Sequence, residues 1–99
     1  MQTQYKLRVP DEIVAFIRGL HPHLKKRVEV ALTEILHEPY CGKALKDEFS
    51  DLRTYRIKRF RIIYKISSKK QISMVAVGPR KYIYEETFRI ISKQKKDKK

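Results

Sequence analysis

The chain has few of the residues on which several protein classes depend. Its 99 residues include one cysteine, three glycines and no tryptophan. The single Cys41 excludes an internal disulfide and a cysteine metal cluster, and three isolated glycines exclude a glycine-rich phosphate loop. No apolar run approaches the roughly 20 residues of a membrane span, and the N-terminal segment lacks the apolar core of a signal peptide. We therefore expect a cytoplasmic protein that uses neither a metal nor a cofactor and has no membrane partner.

Acidic residues are also scarce. Lys and Arg total 24 against 11 Asp and Glu, which gives a net charge of +13. The segment 93–99 contributes +4 of this charge, so residues 1–92 still carry +9. A small domain this basic repels its own copies and attracts polyanions, so nucleic acid is the expected partner class. An acidic protein is the other partner that the charge fits.

The hydrophobic pattern predicts one domain over residues 1–92, followed by a disordered lysine-rich tail over 93–99. The predicted order is β-α-α-β-β-β-α, an α+β fold with a small, mostly antiparallel sheet. An N-terminal helical hairpin packs on one face and a C-terminal helix closes the chain, with the helices expected on one face of the sheet. The predicted ranges are a strand at 4–9, helices at 10–20 and 22–37, a loop at 38–50, strands at 52–57, 60–66 and 72–77, and a helix from 83 to about 92.

The alternation of side chains between the two faces of each predicted strand predicts a cluster of arginines on one face. If Lys58 and Arg59 form a two-residue turn, Arg56 lies directly opposite Arg61 on the face away from the core. An even-length turn at residues 67–70 then places Val75 and Val77 on the core face. It places the alternate residues on the open face, namely Met74, Ala76, Gly78 and Arg80.

Arg56, Arg61 and Arg80 would then share one open surface, with Lys58 at its edge. Directly opposed like charges cost stability, and such a cost favours a bound anion. A solvated basic face without a ligand is the alternative. Among other reactive groups, His21 and His23 flank a proline and have no carboxylate at zinc-ligand spacing. Any catalysis must therefore use Arg, Lys and Tyr.

The strands also carry a double sequence motif. Its first half is residues 51–66, DLRTYRIKRFRIIYKI, and its second half is residues 75–84, VAVGPRKYIY. With both halves at this separation, the chain resembles the RelE/ParE superfamily of toxins from type II toxin–antitoxin pairs, over nearly all of residues 4–92.

For the RelE-like branch, the resemblance implies a metal-independent endoribonuclease that cuts messenger RNA on the ribosome by attack of a 2′-hydroxyl on the adjacent phosphate. It also implies an acidic antitoxin that forms a hetero-oligomer with the toxin. The positions that match the branch's working residues are Arg56, Lys58, Arg61, Arg80 and Tyr84.

These side chains suit phosphoryl chemistry. Arg56 and Arg61 are able to bind the scissile phosphate and stabilise its charge, and Arg80 is able to bind on the side of the leaving group. Lys58 exchanges a proton more readily than arginine does. Tyr84 would orient the 2′-hydroxyl, stack on a base or exchange a proton; a core or helix-cap tyrosine is the alternative.

The sequence departs from the family pattern at three places. Its hairpin turn is shorter, and position 56 is an arginine where the family usually has lysine. No histidine occurs near the second half of the motif. The ParE branch shares the fold and inhibits DNA gyrase, so cleavage does not follow from membership. A catalytically degenerate homologue that only binds an antitoxin is a third hypothesis.

Overall fold

The computed structural model describes residues 5–46, 51–67 and 70–97. Its elements follow the predicted order, with one short strand added inside the predicted loop 38–50. They are β1 (Lys6–Arg8), α1 (Asp11–Arg18), α2 (Pro22–His37), a 3₁₀ turn (Pro39–Cys41), β2 (Lys43–Ala44), β3 (Leu52–Ile57), β4 (Phe60–Ser67), β5 (Gln71–Pro79) and α3 (Arg80–Asp97).

The strands form a single sheet in the order β1-β5-β4-β3-β2. Strand β1 runs parallel to β5, and the other three pairings are antiparallel. The α+β prediction is therefore confirmed. In the β3–β4 hairpin Ile57 pairs with Phe60 and Arg56 with Arg61, so the two-residue turn at Lys58 and Arg59 is also confirmed.

Helix α2 begins where the sequence predicts. Pro22 occupies its first turn, where the missing amide hydrogen costs nothing. His21 precedes the helix, and its Nδ1 accepts a hydrogen bond of 3.2 Å from the His23 amide. Val28, Ala31 and Ile35 lie one or two turns apart and are buried against the sheet. The helical hairpin thus covers one face of the sheet.

The opposite face is covered by α3, so the expectation that the helices share one face is wrong. Leu52, Ile63 and Ala76 form a second buried cluster with Ile83 of α3. Ile90 and Ile91 pack against it from later turns of the helix. Because Ile83, Thr87, Ile90 and Ile91 recur at helical spacing, α3 carries its own apolar stripe and needs a sheet face to bury it.

The path from β4 to β5 differs from the predicted register twice. Ser67 pairs with Gln71, one step away from the pairing that the predicted turn requires, and a bulge then shifts the register between Ile63 and Tyr64. Met74 consequently joins the core under the helical hairpin, and Val75 packs against the α3 cluster. Their predicted faces are wrong, because the register at the turn between β4 and β5 differs by one residue from the predicted one, and a one-residue shift exchanges the two faces. The extra residue at the bulge restores the predicted alternation from Ala76 onward.

Helix α3 is longer than predicted at both ends. It starts at Arg80 rather than Ile83 and continues past Ser92 to Asp97. The helix therefore runs into the segment from Lys93 that the sequence predicts as a disordered tail. Residues 98 and 99 of the predicted tail lie outside the described part of the chain.

No helix among the described residues has both the length and the apolar content to cross a membrane.

Candidate functional site

The closed end of the β3–β4 hairpin brings the predicted basic residues together. Arg56 and Arg61 are directly paired across the strands, and Arg61 pairs on its other side with Gly78 of β5. Side chains of directly opposed residues have Cβ atoms about 5 Å apart. Both arginines project on the α3 side of the sheet, since Arg56 lies two residues from Thr54 and Arg61 two residues from the buried Ile63, and every second residue of a strand shares a face. Arg56 is exposed and Arg61 is half-buried.

The hairpin turn has an unusual backbone. Lys58 has a φ of 52°, a conformation that non-glycine residues adopt uncommonly and at some cost. Its side chain is exposed. The guanidinium of Arg61 reaches back over the turn, where Nη1 donates to the carbonyl oxygens of Lys58 at 3.0 Å and Phe60 at 2.9 Å. Arg61 therefore stabilises the turn that presents Lys58.

The start of α3 is attached to the same turn. Strand β5 ends at Pro79 and α3 begins at the next residue. The backbone amide of Arg80 donates to the carbonyl oxygen of Arg59 at 2.7 Å. This bond, which the sequence motifs did not indicate, holds the first residue of α3 beside the hairpin turn. Arg80 is exposed and begins α3 two residues after Gly78, which pairs with Arg61. The two register errors cancel by Ala76, but the alternation of strand side chains ends with β5 at Pro79.

Tyr84 is one turn farther along α3 than Arg80. Residues four apart lie on the same side of a helix, separated by about 6 Å along its axis. Tyr84 is 41% exposed, so the alternative of a core tyrosine is wrong. The structure thus places Arg56, Lys58, Arg61 and Arg80 around the hairpin turn. Tyr84 lies one helical turn from Arg80 on α3.

The charge of this cluster is not neutralised within the described residues. The ion pairs found there join Lys65 to Asp51 and Arg89 to Glu86, and none involves a member of the cluster. The described ranges hold no group of three side chains suited to a metal ion. Arginine hardly deprotonates, so Lys58 and Tyr84 are the members able to exchange a proton. The arrangement therefore suits an anion, and phosphate in particular.

A second group of titratable side chains lies on the other side of the sheet. The Tyr64 hydroxyl donates to the Pro39 carbonyl at 2.6 Å and accepts from the Gly42 amide at 3.1 Å, and burial raises its pKa. Burial also raises the pKa of the Cys41 thiol. The two hydrogen bonds of the Tyr64 hydroxyl hold the 3₁₀ turn against the sheet, so we assign this group a structural role.

Comparison with known proteins identifies the family. The family model described as the ParE-like toxin of type II bacterial toxin–antitoxin systems matches residues 9–87, a range that contains the four residues of the basic cluster and Tyr84. This chain belongs to the ParE-like toxin family. No curated protein sequence matches it.

Solved structures share the fold of this ParE-like toxin. An arginine double mutant of the Escherichia coli toxin RelE in its free state superposes with a TM-score of 0.73. Its sequence is 17% identical over 93% of this chain and 98% of that one. The RelBE2 toxin–antitoxin complex of Mycobacterium tuberculosis gives 0.68, with 23% identity over 79% and 100%. The archaeal RelE–RelB complex of Pyrococcus horikoshii gives 0.65, with 22% identity over 79% and 97%. At these identities the likeness shows the fold alone.

Proposed function

We propose that this ParE-like toxin is a ribosome-dependent ribonuclease that cuts messenger RNA in the cytoplasm. The observation that carries the proposal is the un-neutralised basic cluster at the hairpin turn, with Tyr84 alongside it. Gyrase inhibition needs a binding surface but no group that exchanges protons. The solved structures that share the fold are RelE toxins, and the resemblance to the RelE-like branch implies a nuclease. The ParE-like family model keeps gyrase inhibition as the second candidate.

In the proposed reaction the 2′-oxygen of a ribose bonds to the adjacent phosphorus while the bond from phosphorus to the 5′-oxygen breaks. The products are a 2′,3′-cyclic phosphate and a 5′-hydroxyl. Arg56 and Arg80 stabilise the charge that grows on the phosphate oxygens. Of Lys58 and Tyr84, one accepts the 2′-hydroxyl proton as general base and the other gives a proton to the leaving 5′-oxygen as general acid. Arg61 keeps the turn in place and adds positive charge.

The partner in the resting cell is proposed to be an acidic antitoxin. The solved complexes from Mycobacterium tuberculosis and Pyrococcus horikoshii pair a RelE toxin with a RelB antitoxin. The net charge of +13 favours an acidic protein on this chain too. Exposed charges are screened beyond about 8–10 Å at physiological salt, so the association rate of toxin and antitoxin should fall as salt rises.

Single-turnover cleavage of message on programmed ribosomes, with gyrase supercoiling assayed in parallel, tests the nuclease proposal. Tyr84→Phe retains the ring, and Lys58→Arg retains the charge. Each removes a proton-exchanging group and should slow cleavage by about 10²–10⁴-fold. Tyr40→Phe and Lys70→Arg are matched controls away from the cluster and should leave the rate unchanged.

If the unmodified toxin leaves ribosome-bound message intact and blocks supercoiling, the nuclease proposal is wrong and gyrase inhibition replaces it. If it does neither yet binds the antitoxin, the degenerate homologue is the correct assignment.

A further inference from the structure

Two aromatic side chains are exposed one turn apart on the outside of α3. Tyr84 is 41% exposed and Phe88 is 52% exposed. Neither belongs to the cluster beneath the helix, to which α3 contributes Ile83, Ile90 and Ile91. Burial in the core therefore does not account for the two rings. Large apolar side chains exposed next to one another commonly mark a binding surface.

The two rings line an open furrow along α3, which encloses about 790 Å³. Its walls are two rows of residues spaced four apart, namely Tyr84, Phe88 and Ser92 in one row and Glu85, Arg89 and Lys93 in the other. Residues four apart are separated by about 6 Å along the helix axis. The furrow thus places aromatic rings beside charged side chains, and these are the two components of surfaces that bind single-stranded nucleic acid.

The furrow begins at the basic cluster. Tyr84 follows Arg80 by one turn on the same side of α3, and Phe88 follows Tyr84 by another turn. The hydrogen bond of 2.7 Å from the Arg80 amide to the Arg59 carbonyl holds the start of α3 beside the hairpin turn. The helix therefore leads away from the cluster in a fixed direction. A strand held by one phosphate at the cluster would have its next nucleotides beside the two rings.

The charges along the furrow favour phosphates at its ends and bases in its middle. Arg80 is exposed at the end near the cluster, and Lys93 is exposed at the other end. Glu85 lines the middle, and Arg89 pairs there with Glu86 at 3.1 Å, so the middle has no surplus of positive charge. Bases carry no charge and stack on aromatic rings whatever the sequence. A second copy of this chain would add another +13, which opposes self-pairing.

We propose that the furrow binds the unpaired stretch of RNA next to the scissile phosphate, with bases stacked on Tyr84 and Phe88 and backbone phosphates near Arg80 and Lys93. The inference rests on the proposed ribonuclease function, because it states where the substrate of that reaction continues. It adds Phe88 and Lys93 as residues that bind RNA without taking part in the reaction. A base must be unpaired to lie on a ring, so the furrow selects single-stranded RNA.

Binding of a short RNA to the purified toxin tests the furrow without the ribosome. The probe is an unstructured RNA of about 10 nucleotides, methylated at each 2′-oxygen so that it cannot be cleaved. Fluorescence anisotropy measures the Kd for this strand, and for the same strand annealed to its complement, at several salt concentrations. Phe88→Leu keeps an apolar side chain without the ring and should raise the Kd for the single strand by about 5- to 100-fold. Phe88→Trp should preserve the native Kd or lower it.

Matched controls lie on the opposite face of the sheet. Phe16 of α1 is 40% exposed, and Phe16→Leu should change the Kd by less than about 2-fold. Lys93→Gln should reduce the slope of log Kd against log salt by about 0.7, the value for one phosphate contact on a single strand. Substitution of the exposed Lys26 of α2 by glutamine should leave that slope unchanged. Phe88→Leu should also leave it unchanged, because a stacked ring releases no counterion.

Other results of these measurements overturn the proposal and show what replaces it. Equal Kd values for Phe88→Leu and Phe16→Leu, or equal affinity for the strand and the duplex, leave charge alone as the source of binding. A dimer of the free toxin that Phe88→Leu dissociates in sedimentation makes a second copy the occupant. If Phe88→Leu leaves RNA binding intact but weakens the complex with the product of the adjoining reading frame, the occupant is a protein partner.

Cleavage on programmed ribosomes separates this proposal from the proposed function. If the native toxin cuts ribosome-bound message while Phe88→Leu binds the RNA strand as the native toxin does, the furrow is refuted and the nuclease stands. If the toxin neither binds the strand nor cuts the message, both are refuted.

Discussion

Among the described residues, the core cluster between the sheet and the helices α1 and α2 has nine buried members, and the cluster between the sheet and α3 has four. On the first side the polar groups are satisfied. The Tyr64 hydroxyl holds two backbone groups, and Arg53 Nε donates to the Gly42 carbonyl at 3.0 Å. On the second side the hydroxyl oxygen of Thr54 is buried without a hydrogen bond, and the hairpin turn contains a residue at positive φ. A buried unpaired hydroxyl and a strained turn both cost free energy.

This difference suggests that one side of the sheet mainly provides stability and the other carries the candidate site. The helical-hairpin side holds most of the core, so substitutions there should act on stability. The α3 side carries the basic cluster, where the proposed binding and chemistry would account for the repulsion and strain. The four predictions below test this division.

The largest effect is expected at Lys58. Lys58→Gly relieves the positive φ and should raise the free energy of unfolding by about 0.5–1 kcal/mol, while cleavage should fall by about 10²–10⁴-fold. Lys70 has a φ of 58° in another turn, so Lys70→Gly is a control with the same backbone relief. It should stabilise equally and leave cleavage unchanged. Equal activity of the two variants in single-turnover assays would show that Lys58 has no part in the reaction.

The next effect concerns the helical-hairpin side. A Cβ atom on Gly42 would lie 2.5 Å from the Tyr64 hydroxyl oxygen and 2.8 Å from the Thr54 carbonyl oxygen. Gly42→Ala should therefore lower the free energy of unfolding by about 2–3 kcal/mol. Gly78, on the α3 side, offers an ordinary contact of 3.5 Å to Ile83 Cδ1, so Gly78→Ala should change it by less than about 1 kcal/mol. Urea denaturation measures both, and similar losses would contradict the proposed difference between the sides.

Arg56 and Arg61 should respond differently although they are paired. Arg61 donates to two turn carbonyls, so Arg61→Gln should lower the free energy of unfolding by about 1 kcal/mol. No hydrogen bond or ion pair joins Arg56 to the described residues, and Arg56→Gln removes a like-charge contact. It should leave stability unchanged or raise it by about 0.5 kcal/mol. Thermal melts at low and high salt check this, because only the gain from Arg56→Gln should shrink with salt.

The smallest effect is a pH dependence on the helical-hairpin side. The hydroxyl of Tyr55 donates to Glu34 Oε1, and this hydrogen bond raises the pKa of Tyr55 to about 12. The folded protein thus retains a proton that the unfolded chain loses near pH 10, so the stability from this group is complete below pH 10 and is lost between about 10 and 12. Tyr55→Phe should flatten that decline in denaturation measured across this range. An unchanged slope would mean that the bond to Glu34 is too exposed to matter.

Much of the fold is predictable because its signals are local. Pro22 and the apolar spacing of Val28, Ala31 and Ile35 define α2, and the pair Lys58-Arg59 between apolar runs defines the hairpin. The placement of α3 is not local, because an amphipathic stripe does not indicate which face of a sheet it covers. Strand β2 has two residues and forms only by pairing with β3, so its sequence carries no period of its own.

Two differences between the predicted and the observed register of β5 cancel before the strand reaches Gly78. Counting from the predicted turn to Arg80 misses one step in the β4–β5 turn and another at the bulge, and the two restore the parity. The positive φ of Lys58 and the bond from the Arg80 amide to Arg59 have no sequence signal, since both depend on where the turn and α3 meet. The chemical roles of the five residues remain predictions.

The bulge in β5 has a consequence for the length of this chain. With both faces of the sheet covered, every residue of β5 has an assigned side, and the extra residue at the bulge sets the phase between the two halves of the strand. Deletion of Val75 would move either Met74 or Ala76 to the wrong face and shift Arg80 relative to the hairpin turn. Related chains should therefore vary in this strand by exchange of residues and not by insertion or loss of single ones, so its residue count is more tightly constrained than its composition.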